Sequence, residues 1–210
     1  MIKILIADDH AIVRGGLKQI IATTTDMVVA DEAAEGAEVL DILRARRPDL
    51  LLLDMTMPGI SGIDLIRRIR AEYTTLPVLV LSIHNEAQVV SRALRAGATG
   101  YLTKDSDPEI LLTAIRKLAE GGRFIDPKLV DSMIFGTHSG DTPPHDILSD
   151  REFQVLQALA AGKSINDIAE AFALSAKTIS THKMRLMQKL GLSNNSELIR
   201  YAIRHHISME

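Results

Sequence analysis

Apolar and polar positions change their rhythm at about residue 121 of this chain. Before that point, short runs of Ile, Leu and Val alternate with longer stretches whose apolar residues recur at helical spacing. Ile2 to Ala7 stops at Asp8 and Asp9, Leu50 to Leu53 at Asp54, and Pro77 to Leu81 at Ser82; a weaker run at Tyr101 and Leu102 stops at Lys104. Runs this short and apolar predict strands buried on both faces, as in a parallel sheet with crossover helices. Strands are predicted near 2–7, 27–32, 50–53, 77–82 and 99–103, and helices near 11–23, 35–47, 62–71, 86–96 and 107–120. Right-handed crossovers then give an α/β fold with a five-stranded, parallel, doubly wound sheet. Ligands of such sheets bind at the carboxyl ends of the strands, where the polar stops would meet.

After Gly121 and Gly122 the pattern breaks. Leu129 to Phe135 predicts a short helix, and Gly136 to His145 is Gly, Ser, Thr and Pro without periodicity, the composition of a linker. From Ser149 the chain reads as wholly helical. Ser149 and Glu152 form a capping-box signature, followed by Phe153, Leu156, Leu159 and Ala160 at helical spacing. Gly162 ends that helix, Ser164 caps a second over 165–172, Ser175 a third over Ala176–Leu190, and Asn195 or Ser196 starts a fourth. The expected organisation is a first domain at 1–121, a linker at 122–146 and a small all-α domain at 147–210.

Composition narrows the classes. With 46% hydrophobic and 24% charged residues, the 210-residue chain has an ordinary globular make-up. No run approaches the roughly 18 apolar residues of a membrane span, and Met1 leads directly into a strand, so a cytoplasmic protein without a membrane partner is expected. The absence of cysteine excludes disulfides, zinc thiolate sites and cysteine nucleophiles. The net charge of −3 hides an asymmetry, because residues 149–210 carry eight Lys and Arg against six Asp and Glu. Between Ala173 and His206, Lys177, Lys183, Arg185, Lys189, Arg200 and Arg204 are opposed only by Glu197. Such a local basic surface is the footprint of a nucleic-acid reader.

Asp8, Asp9 and Asp54 at neighbouring strand ends would crowd three carboxylates, an arrangement that favours a bound cation. Oxygen ligands without Cys or a suitable His pair point to Mg2+. With a hydroxyl at Ser82 and an ammonium at Lys104, the pocket has what a phosphoryl group requires, and one carboxylate can attack phosphorus. Taken singly, each residue has a plainer reading as a turn aspartate, a helix-capping serine or a solvated lysine. Their joint occurrence at four strand ends outweighs it.

Asp8-Asp9, Asp54 followed by Met57-Pro58-Gly59, Ser82 and Tyr101-Leu102-Thr103-Lys104 together resemble the receiver domain of two-component response regulators, over about residues 1–120. The resemblance implies a flavodoxin-like fold, Asp54 as phosphoacceptor, and Mg2+ bound by Asp9, Asp54 and the Thr56 main-chain carbonyl, with Asp8 supporting the metal through water. It implies that Ser82 and Lys104 contact the phosphoryl group and that Tyr101 is a switch aromatic coupled to Ser82. Ser82 stands where threonine is frequent and keeps the hydroxyl. Asp105 stands where many receivers have proline.

In the predicted third helix of the second region, Ile179, Leu186 and Leu190 share one face. Lys177, Thr181, Met184 and Gln188 share the other, with Ser180 and Arg185 beside them. A plain helical bundle accounts for the apolar face alone. The polar, basic face is what a major-groove reader presents. Leu148-Ser149-Asp150-Arg151-Glu152, Val155-Leu156, Ile168-Ala169, Lys177-Thr178-Ile179-Ser180-Thr181-His182 and Lys189-Leu190-Gly191 are similar to the LuxR-type helix-turn-helix. With the receiver, this resembles the NarL/FixJ architecture. The implied DNA-facing set is Lys177, Thr178, Ser180, Thr181, His182, Lys183, Met184, Arg185 and Gln188, His182 being equally readable as a packed boundary residue. Ser180 stands where lysine is common. The implied partners are a sensor histidine kinase, double-stranded DNA and a second copy of the chain, the homodimer forming on phosphorylation through the helix near 196–205.

Two other classes fit parts of this pattern. A hydrolase of the haloacid dehalogenase type also uses Asp, Mg2+, a hydroxyl and Lys, but needs an acid two residues after the nucleophile; Ala11, His10 and Thr56 occupy those positions. A receiver that only binds proteins, with a degenerate helical module, is the other.

Overall fold

The computed structural model describes residues 1–85, 87–130, 145, 148–172, 174–205 and 207. The chain forms two compact units, Met1–His138 and Ser139–Glu210.

The first unit follows the alternation of its sequence: β1 (Ile2–Ala7), α1 (Ala11–Ala22), β2 (Met27–Ala33), α2 (Gly36–Ala45), β3 (Leu50–Asp54), α3 (Gly62–Glu72), β4 (Val78–Ser82), α4 (Ala87–Ala96), β5 (Gly100–Thr103), α5 (Pro108–Ala119) and β6 (Phe124–Ile125). The sheet order is β2-β1-β3-β4-β5-β6, with every pairing parallel. The two-residue pleat sends Leu51 and Leu53 to one face and Leu50 and Leu52 to the other. On the first face α2, α3 and α4 add Val39, Leu43, Ile66, Ile69 and Val90; on the second, α1 and α5 add Leu17, Ile21, Leu111, Ile115 and Leu118. Both faces are thus covered, which is why these strands read as continuous apolar runs.

The expectation of five strands is corrected to six among the described residues. β6 pairs with β5 through Gly100↔Phe124 and Tyr101↔Ile125, within the stretch expected as linker. Gly100 permits it, because a Cβ there would lie 3.0 Å from the Phe124 carbonyl oxygen and 2.9 Å from Leu79 and Leu118 methyls. A strand of two residues leaves no alternation to detect. Residues 127–130 are helical; the rest of the short helix expected at 129–135 lies outside the described residues.

The second unit is helical: α6 (Asp150–Ala160), α7 (Ile165–Ala171), α8 (Ala176–Leu190) and α9 (Asn195–Arg204). Its helix starts are encoded locally. Ser149 with Glu152 and Ser164 with Asp167 form reciprocal capping boxes, Ser175 caps α8 through the Thr178 N–H, and Asn194, one residue before the expected start, caps α9 through the Glu197 N–H. Gly191 ends α8 in the left-handed conformation at φ 66°. Phe153, Val155, Leu156, Ile168, Ile179, Leu186 and Leu198 are buried and form the unit's own core.

Candidate functional site

Topology assembles the acidic pocket. Neighbouring strands leave β1 in opposite directions, β2 to one side and β3 to the other, so a crevice opens at the carboxyl ends of β1 and β3. Ala7 pairs with Leu53, and the next residues, Asp8 and Asp54, therefore lie side by side. Asp54 pairs with Leu81, so Ser82 ends one position further along on the adjoining strand, opposite Thr103. Lys104 then follows β5 and reaches back across the crevice.

The geometry is close. Lys104 Nζ lies 2.8 Å from Asp8 Oδ2 and 3.2 Å from Asp54 Oδ2, and both carboxylates are almost wholly buried. Asp9 is more open, and His10, which sequence reasoning missed, places Nδ1 2.8 Å from Asp9 Oδ1 and 3.3 Å from Asp8 Oδ1. Its only sequence signal was adjacency to the aspartate pair. Ligand atoms of Asp8, Asp9, His10 and Asp54 all lie within 4.8 Å of one another. Burial, reinforced by the charge of Asp8, raises the Asp54 carboxyl to about 6, against the pull of Lys104 and a hydrogen bond from the Thr56 backbone. Thr56 itself is exposed in the loop after β3. Burial pulls the Lys104 ammonium down, but the Asp8 hydrogen bond and the charges of Asp54 and Asp8 outweigh it and hold the amine above its ordinary value.

These donors fit a hard divalent cation. The buried Asp8 Oδ2 has the Lys104 ammonium at 2.8 Å, but that one ammonium is shared between two buried carboxylates, with a third at the rim. Negative charge is left over, in oxygen ligands of the kind Mg2+ takes.

Ser82 and Tyr101 meet through a residue sequence reasoning did not single out. Ser82 Oγ accepts the His84 N–H at 3.1 Å, and the fully buried Tyr101 hydroxyl donates to the His84 carbonyl oxygen at 2.9 Å. The loop after β4 is thus tied to both side chains.

In the second unit, α8 buries Ile179 and Leu186 and exposes Lys177, Ser180, Met184, Arg185 and Gln188. Thr178, Thr181, His182 and Lys183 are half-buried at the boundary; the Thr181 hydroxyl donates to the Lys177 carbonyl oxygen at 2.9 Å, and Thr178 belongs to the Ser175 cap. Lys189, counted in the basic surface, is exposed but engaged, with its Nζ 2.6 Å from Oε2 of the buried Glu152.

Residues 4–116 match the response regulator receiver domain, and residues 146–202 match the luxR family of bacterial regulatory proteins. The chain belongs to the NarL/FixJ response regulators. It is 37% identical to the oxygen regulatory protein NreC of Staphylococcus carnosus, with 96% of this chain and 97% of that protein covered. The NreC of Staphylococcus aureus is 38% identical over the same shares. RcsB of Salmonella enterica serovar Typhimurium, solved bound to the promoter P1flhDC with the phosphomimetic BeF3-, is similar at a TM-score of 0.73 and 28% identity, covering 95% of this chain and 97% of that one. This response regulator is therefore a DNA-binding transcription regulator of a two-component system. No described helix of it is long and apolar enough to cross a membrane.

Proposed function

We propose that Asp54 is the phosphoacceptor of this regulator, charged by a histidine kinase or a small phosphodonor in the cytoplasm. The observation that carries this reading is the single ammonium of Lys104 spanning the buried Asp8 and Asp54 carboxylates at the sheet's switch point. An Asp54 oxygen forms a bond to phosphorus as the P–N bond of phosphohistidine, or the P–O bond of a small acyl phosphate, breaks; the bonding pair leaves on the imidazole nitrogen, which takes a proton from water, or on the departing carboxylate. Asp9, Asp54 and the Thr56 carbonyl would hold Mg2+, with Asp8 supporting it through water; bound there, the ion neutralises phosphoryl oxygens. Lys104 balances the remaining negative charge, and the Ser82 hydroxyl donates to a phosphoryl oxygen. To do so Ser82 turns away from the His84 N–H, which frees the loop whose carbonyl Tyr101 holds. No acid stands two residues after Asp54, so the phosphoryl group is lost slowly and the site works as a switch.

The output is binding of double-stranded DNA by a homodimer. The exposed side of α8 and its boundary read the major groove, with Lys177 and Lys183 on phosphates, Thr178, Ser180, Thr181, Met184, Arg185 and Gln188 at or beside base edges, and His182 at the packed boundary within reach of a phosphate. Ile199 and Ile203, exposed on α9, are the apolar contribution to a dimer contact. The receiver is assigned to residues 1–121 together with β6, the linker to the stretch between β6 and residue 146, and the DNA-binding module to 147–210. The test is a Phos-tag gel after incubation with Mg2+ and acetyl phosphate, in which the wild-type chain shifts and Asp54→Asn does not. An undiminished shift in Asp54→Asn overturns the assignment.

A further inference from the structure

We propose that Asp126, just past β6, is the positioning residue that aims Lys104 into the pocket. Lys104 occupies the second position of a tight turn whose first and last residues are Thr103 and Ser106, closed by the Ser106 N–H donating to the Thr103 carbonyl oxygen at 3.1 Å. The hydroxyls at both ends of that turn converge on one oxygen of one carboxylate: Thr103 Oγ1 donates to Asp126 Oδ2 at 3.1 Å, and Ser106 Oγ donates to the same atom. The other oxygen, Oδ1, accepts the Lys128 N–H at 2.9 Å, and the Asp126 N–H donates to the Tyr101 carbonyl oxygen at 2.9 Å.

Asp126 is completely buried. Its carboxylate is held by two hydroxyls and a backbone N–H, all of them neutral donors. Burial raises its carboxyl, but the bonds from Ser106, Lys128 and Thr103 outweigh that and hold it below the ordinary aspartate value. A buried charge kept by three donors is an expensive way to fasten a surface turn, unless the direction of that turn matters. What the turn directs is the Lys104 side chain, whose two contacts at 2.8 and 3.2 Å lie in the crevice. A lysine held on a loose turn loses more rotamer freedom when it engages a phosphoryl group, so the clamp lowers the cost of that engagement.

This inference rests on the phosphoacceptor reading above, and beryllofluoride separates the two. The full chain is titrated with beryllofluoride at saturating Mg2+, and separately with Mg2+ alone. Asp126→Asn is expected to weaken beryllofluoride about tenfold, roughly 1.4 kcal/mol, and to leave Mg2+ affinity within about twofold, because Lys104 serves the phosphoryl group and not the metal. In a Lys104→Gln background, Asp126→Asn should have no further effect. Ser106→Ala, which keeps the buried carboxylate and removes one tie, is expected to give about a threefold loss and serves if Asp126→Asn does not fold. Wild-type affinity in both variants, or an equal loss with and without Lys104, overturns the positioning role while leaving the phosphoacceptor reading intact. Failure of the wild-type chain to bind, or undiminished binding by Asp54→Asn, overturns both.

Discussion

Each unit buries a carboxylate against a lysine, and the two pairs behave in opposite ways. In the DNA-binding module, Glu152 accepts the Ser149 N–H at 2.7 Å and contacts Lys189 at 2.6 Å, one carboxylate with one amine and a helix cap. Burial raises its carboxyl, but Lys189 and Ser149 outweigh burial and hold it below the ordinary glutamate value. In the receiver, Lys104 is shared between Asp8 and Asp54, and Asp54 rises to about 6. A satisfied pair fastens helices together; a crowded one stores unbalanced charge that a cation and a phosphoryl group can use.

Removing the carboxylate from each pair separates them most sharply. Glu152→Ala should destabilise the DNA-binding module by about 2–3 kcal/mol, discounted from the cost of breaking a fully buried pair because Lys189 is partly exposed. Urea unfolding followed by amide NMR signals of each unit checks this; a loss under about 0.5 kcal/mol would place Glu152 with ordinary surface acids.

Acidification should move the two contributions in opposite directions. Glu152 has a lowered folded pKa, so its contribution is present above the unfolded value of 4.5 and is lost as pH falls through the lower folded value. Asp54 has a raised folded pKa, so the native state binds a proton more tightly than the unfolded chain between about 6 and 3.8. Its contribution to receiver stability therefore increases as pH falls through that window, by an amount on the order of 3 kcal/mol in metal-free buffer. The Asp54 carboxyl carbon shift, followed by NMR in EDTA, should titrate near 6, and a midpoint below 4 contradicts the crowding.

The lysines of α8 sharpen the contrast further. Lys177→Ala should weaken binding to all DNA sequences by about 1 kcal/mol and reduce the salt slope by about 1, with stability unchanged. Lys189→Ala should instead lower the stability of the module by about 1 kcal/mol. The smallest expected change in stability is in Asp8→Asn, which relieves repulsion of Asp54 and should leave the metal-free receiver within about 1 kcal/mol of wild type, although it weakens Mg2+ about tenfold. A loss of about 2 kcal/mol or more would make Asp8 as structural as Glu152.

Much of the receiver and its pocket is legible in the chain alone. The apolar runs are short because the sheet is covered on both faces, and each run's polar stop marks its carboxyl end, so topology brings Asp8, Asp54, Ser82 and Lys104 to one edge. Ser149, Ser164 and Ser175 are legible as caps because a cap bonds within three residues of itself. Less is visible where partners lie far apart. His84 carries no pattern of its own, and its link between Ser82 and Tyr101 depends on how the loop after β4 packs.

Local spacing alone settles the periodicities, the helix starts and the polar stop that ends each strand, whereas the order of strands that sets Asp54 beside Asp8 belongs to the folded sheet. Only the tertiary structure decided which lysine answers which carboxylate. Glu152 and Lys189 lie 37 residues apart, and Asp126 lies 20 residues from Ser106. Pairings over such distances are selected by the packing of whole elements, which places charges side by side without leaving a local mark in the chain.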